Sequence, residues 1–74
     1  MGKKKSAVSN RIRELRFSNG EMTQQQLATQ IGVARQTIIA MEQGRFSPSL
    51  ESALRLARIF NTSVDDIFTL HEPE

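Results

Sequence analysis

The sequence contains no cysteine, which excludes a disulfide framework and any thiolate-held metal. Its single histidine, His71, sits in the C-terminal tail and is read as chemically silent. No His-Glu-x-x-His pair, glycine-rich phosphate loop or Ser/His/Asp set is present, so no enzyme, cofactor or metal is expected. No apolar run approaches the roughly 18 residues that a membrane span needs. Lys3, Lys4 and Lys5 are not followed by the apolar core of a signal peptide. The expectation is a cytoplasmic protein with no membrane partner and no small-molecule substrate. With 74 residues the chain is one domain, and a domain this small buries only about 60% of its unfolded surface. Little volume is left for a cleft, so binding chemistry has to sit on the outside.

What is present is a globular balance, 38% hydrophobic and 24% charged residues, with a net charge of +2. The charge is uneven. Residues 1–37 hold seven basic and two acidic side chains, whereas residues 38–74 hold three basic and six acidic. A basic front half suits a polyanion, although three of its charges belong to residues 1–6, read as a flexible arm. Those lysines either lie along a nucleic-acid backbone or are simply solvated.

Apolar Val8, Ile12 and Leu15 recur at helical spacing and predict a first helix over about 7–18, capped by Ser6 or Ser9 and stopped at Ser18-Asn19-Gly20. Thr23 and Gln26 form a capping box that opens a second helix, with Met22 placed to staple against Leu27. Its inner face is Leu27, Ala28 and Ile31, and Gly32 ends it. Only Val33 and Ala34 separate this stop from a third helix, about Arg35 to Gln43, closed by Gly44, with Ile38 and Met41 facing inward. A connector of Arg45, Phe46, Ser47 and Pro48 leads to Ser49, which caps a fourth helix with the stripe Leu50, Ala53, Leu54, Ala57 and Phe60. Ser63 caps a short fifth helix bearing Val64, Ile67 and Phe68, with Asp65 and Asp66 in the first turn, where acids are favoured. The expected fold is therefore all-α: a compact five-helix domain over 7–70, with a frayed tail at 71–74.

Two short helices joined by a tight glycine turn are the mark of a helix-turn-helix, in which the second helix of the pair enters the DNA major groove. The third helix carries an outward run of Arg35, Gln36, Thr37, Ile39 and Ala40, where an ordinary solvated face would carry Glu and Lys. Arginine can grip guanine, and glutamine adenine, through two hydrogen bonds each.

The run TQQQLATQIGVARQTIIAMEQGR, followed by PSLESALRLARIFNTSVDDIF, resembles the Cro/cI-type (XRE) family of lambda-repressor-like regulators, over about residues 8–68. The resemblance implies a DNA-binding five-helix bundle, acting as a homodimer that regulates transcription, as a repressor, at a palindromic operator. It implies base contacts from Arg35 and Gln36, and from the positions of Ala40 and Ala34, both of which depart from the polar residues common there. At Ala40 readout is then apolar, against thymine, or absent; at Ala34 a phosphate or capping contact is lost. Phosphate contacts are implied for Thr23, Gln24, Thr37, Arg45 and the Phe46 backbone; Thr37 matches a position that reaches either phosphate or a thymine methyl. For Gln24 the plainer alternative is a solvated side chain. Ile39 either touches a thymine methyl or packs on the surface. Arg16 and Glu42 are implied to form a structural ion pair. The expected dimer surface is the fifth helix with Ile67, Phe68 and Leu70. The rival reading is a protein-interaction or antitoxin-like module in which DNA binding is weak or secondary.

Overall fold

A computed structural model describes residues 7–45 and 47–71. The order of elements is β1 (Val8–Asn10), α1 (Ile12–Ser18), α2 (Gln24–Ile31), α3 (Arg35–Glu42), α4 (Leu50–Ile59), α5 (Val64–Ile67) and β2 (Phe68–Leu70). The five helices close around one core of Ile12, Leu27, Ala28, Ile31, Ile38, Met41, Leu56, Phe60 and Ile67. No helix among the described residues is long and apolar enough to cross a membrane.

The helix ends follow local chemistry. The Thr23 hydroxyl accepts from Gln26 N at 3.0 Å, and Thr23 N donates to Gln26 Oε1 at 2.8 Å, closing the capping box. Ser49 and Ser63 cap α4 and α5 by accepting from Ser52 N and Asp66 N. The Asp66 carboxylate also accepts from the Thr62 hydroxyl, and that bond is the first reason its pKa is held below the usual aspartate value. At the end of α2 the chain turns through Gly32 at φ 79°, a left-handed conformation that costs glycine nothing. The N–H groups of Gly32 and Val33 both donate to the Ala28 carbonyl, which tightens the turn into α3.

Several expectations are corrected. The fold is not purely α-helical, because β1 and β2 pair antiparallel in the register Val8↔Leu70, Ser9↔Thr69, Asn10↔Phe68. Each strand has three residues, too short for alternation to show, and its partner lies some sixty residues away. In consequence α1 begins at Ile12 and not near residue 7. Ser9 does not cap it, and Ser6 lies outside the described residues; the Asn10 side chain accepts from Ile12 N at 3.1 Å and donates to the Met41 carbonyl at 2.8 Å. Phe68 and Leu70 belong to β2 and not to the fifth helix. The ladder continues into His71, whose N–H donates to the Ala7 carbonyl and whose ring meets the Ser9 hydroxyl at 2.7 Å. His71 is therefore ordered by the sheet; the rest of the tail and the arm at 1–6 lie outside the described residues.

The phase of α4 is the other large difference. Leu50 and Leu54 are 74% and 55% exposed, while Leu56 is fully buried beside Ala53 and Phe60. The helix turns its Ala53–Leu56–Phe60 side to the core and leaves the two leucines outside.

Candidate nucleic-acid interface

The site is built on α3, and its inner side holds it still. Ile38 and Met41 are buried with Leu27 and Ile31 of α2, which sets the angle between the two helices. At its far end Glu42 is tied down on three counts. Arg16 grips it with two bonds, Nε to Oε2 at 2.6 Å and Nη2 to Oε1 at 3.1 Å, and Gln24 Nε2 donates to Oε1 at 3.2 Å. Arg16 spends its remaining arm on the Met22 carbonyl at 2.8 Å. Both side chains of the pair are more than nine-tenths buried. The pair therefore joins α1, the entry to α2 and the end of α3, and it cancels the one negative charge on α3.

The outer side is open. Arg35, Gln36 and Ala34 are exposed, and Thr37, Ile39 and Ala40 are half-buried along the flank. Neither the Arg35 nor the Gln36 side chain makes a hydrogen bond or ion pair with any described residue. Such idle donors and acceptors on a rigid helix are what base-edge recognition needs. Ala34 is the N-cap of α3 and supplies no side-chain bond, so no side chain caps the first amides of the helix, of which Thr37 N donates to the Ala34 carbonyl at 2.9 Å. Restoring the missing hydroxyl is expected to stabilise the fold: Ala34→Ser should gain about 0.5–2 kcal/mol, read as a higher urea midpoint at unchanged m-value.

The residues assigned to the phosphate strand are spread around this face. Thr23 uses its hydroxyl oxygen as the α2 cap, which leaves its O–H to donate outward. Gln24 is half-buried, and its amide N–H already donates to Glu42. Its second amide N–H is left to donate to a phosphate. Arg45 is exposed, with one arm on Gln43 Oε1 at 3.1 Å. Phe46 lies outside the described residues. Thr23 and Gln24 share an open groove of about 560 Å³ with Arg13, Phe17, Ile39 and Gln43. Phe17 is half-exposed there, with the Arg13 and Arg16 guanidinium carbons 5.6 and 5.3 Å from its ring centre. Arg13 and Gln43 were not singled out from the sequence. The only signal for them was the polar side of a short helix, which any solvated helix shares.

Of the expected dimer surface, Ile67 must be withdrawn. It is fully buried in the core of the single chain and offers nothing to a partner. Phe68 is half-buried against that core, and Leu70, 62% exposed, remains open at the end of β2.

A helix-turn-helix family model matches residues 12–67, from the start of α1 to the end of α5. An uncharacterized HTH-type transcriptional regulator of Archaeoglobus fulgidus is 45% identical over 67 residues, covering 90% of this chain and 94% of that protein. One from Methanothermobacter thermautotrophicus is 53% identical over 62 residues, 82% of this chain and 88% of the other. The cryptic phage CTXphi transcriptional repressor RstR of Vibrio cholerae is 34% identical over 59 residues, 80% of this chain but 52% of that protein. Among solved structures, a protein from Bacteroides fragilis has the same fold, with a TM-score of 0.71 at 24% identity over 84% of this chain and 98% of the other. The chain belongs to the helix-turn-helix family of Cro/cI type, whose members are regulators and not enzymes.

Proposed function

We propose that this protein binds double-stranded DNA sequence-specifically as a homodimer and represses transcription at a palindromic operator. The observation that carries the reading is the division of α3: one side locked by Ile38, Met41 and Glu42, the other presenting Arg35 and Gln36 with no partner among the described residues. In this reading α3 enters the major groove, Arg35 takes a guanine and Gln36 an adenine. Ala40 offers a methyl to thymine, and Thr37 sits at the strand edge. Thr23, Gln24 and Arg45 set the register on the phosphates. The archaeal regulators and the phage repressor among the relatives support the regulatory role. A dimer reading a palindrome places its two recognition helices about 34 Å apart.

Selection of bound duplexes from random DNA, followed by titration at several salt concentrations, tests this. A symmetric consensus is expected. Each basic group that releases a counterion steepens the slope of log K against log salt by about 0.9. Arg45→Ala, lost once from each protomer, should therefore flatten the slope by roughly 1.8 with little change in consensus. Feeble binding of equal strength to every duplex, with no salt slope, would refute the reading and favour the protein-interaction module instead.

A further inference from the structure

The exposed side of α4 is unlike the rest of the surface. Leu50 and Leu54, one turn apart, are 74% and 55% exposed, and with Glu51, Arg55 and Arg58 they line a shallow groove of about 620 Å³. Single exposed leucines are common, but neighbours at helical spacing form a stripe that water solvates poorly. The charges beside the stripe are arranged symmetrically about its middle. Glu51 lies on the N-terminal side of Leu54 and Arg58 on the C-terminal side, at nearly equal distance along the helix. Glu51 pairs within its own helix with Arg55 at 2.7 Å, whereas Arg58 has no ion pair with any described residue.

A segment of this pattern is complementary to itself when turned end over end. If two copies of α4 lie antiparallel about a two-fold axis near Leu54, the leucines meet at the centre. Each Glu51 then comes level with Arg58 of the second copy, and each Leu50 covers the aliphatic stem of that arginine. A two-fold contact of this kind is self-complementary by construction. None of the groove residues lies on α3 or in the connector that follows it. A copy seated there leaves Arg35 and Gln36 open. Leu70, by contrast, is a single exposed apolar side chain at the end of the sheet, set opposite the half-buried Val8.

We propose that the Leu50–Leu54 face of α4 is the dimer surface, its occupant a second copy of this chain held by Glu51–Arg58 pairs across the two-fold. The proposal rests on the homodimer reading and gives it a location. A ten-residue helix is only about 15 Å long, so the contact is small and the dimer should dissociate on dilution.

Sedimentation equilibrium of the full chain, with helical content checked by circular dichroism, provides the test. The wild-type chain should dimerise. Leu54→Glu, which sets two carboxylates face to face, should weaken the dimer on the order of 100-fold while the exposed site keeps the monomer folded. Glu51→Arg and Arg58→Glu should each weaken it, and the double exchange E51R/R58E should restore it, which a merely structural role would not produce. Leu70→Glu should leave it unchanged. If Leu70→Glu dissociates the dimer and the α4 variants do not, the α4 surface is refuted and the homodimer stands. If the wild-type chain stays monomeric at every concentration, with and without selected DNA, both readings fall.

Discussion

Replacing Arg16 by methionine is expected to cost about 3–5 kcal/mol of folding stability, a large share of the roughly 5–15 kcal/mol a domain has in total. The reason lies in what the substitution leaves behind. The Glu42 carboxyl would be left without its cation at a site where its side chain is 9% exposed, with the Gln24 amide at 3.2 Å as its remaining side-chain partner among the described residues. The Met22 carbonyl would lose its donor as well. A thermal midpoint at least about 12 °C lower should follow. Removing both charges together, as in R16M/E42L, should recover most of the loss, because burying a well-made ion pair gains little over burying apolar groups of similar volume. The recovered double variant should nevertheless bind DNA less well, since the end of α3 is no longer anchored to α1. A single variant that melts within a degree or two of the wild type would show that the pair does not hold the recognition helix.

Arg35→Ala should behave in the opposite way, with stability untouched and recognition damaged. The side chain is exposed at the first position of α3 and makes no hydrogen bond or ion pair with any described residue. Its loss should weaken binding by about 1–3 kcal/mol at each half-site, roughly 5- to 150-fold apiece, and flatten preference at one base pair in each half-site. Arg35→Lys should restore part of the affinity but not the preference, since an ammonium cannot make the two parallel bonds of a guanidinium. Anisotropy titrations against the selected duplex and its single-base variants measure both quantities. A preference profile identical to that of the wild type would remove Arg35 from the readout.

The two predictions separate the inner and outer sides of one helix, and the sequence exposed those sides unequally. The outer side was plain, because Arg35, Gln36 and Thr37 follow a glycine turn and stand where an ordinary helix would carry acids and lysines. The Arg16–Glu42 contact came from family resemblance alone. Nothing in the spacing of two residues 26 apart shows that they meet. That Gln24 spends one amide N–H on the same carboxylate was not visible either, and it leaves the residue one N–H for a phosphate. In α4, apolar residues occupy two adjoining stripes, Leu50–Leu54 and Ala53–Leu56–Phe60. A helical wheel supports either as the inner one. The choice depends on what α2 and α5 offer on the other side.

Local order was within reach of the sequence because its causes are local. A cap, a left-handed glycine or a first-turn acid acts on backbone groups within about four residues, so Thr23–Gln26, Gly32, Ser49 and Ser63 could be read in place. The pairing of Val8–Asn10 with Phe68–Leu70, the burial of Ile67 and the side that α4 turns to the core were decided only in three dimensions. Each depends on residues far along the chain, whose contacts exist only once the helices have packed.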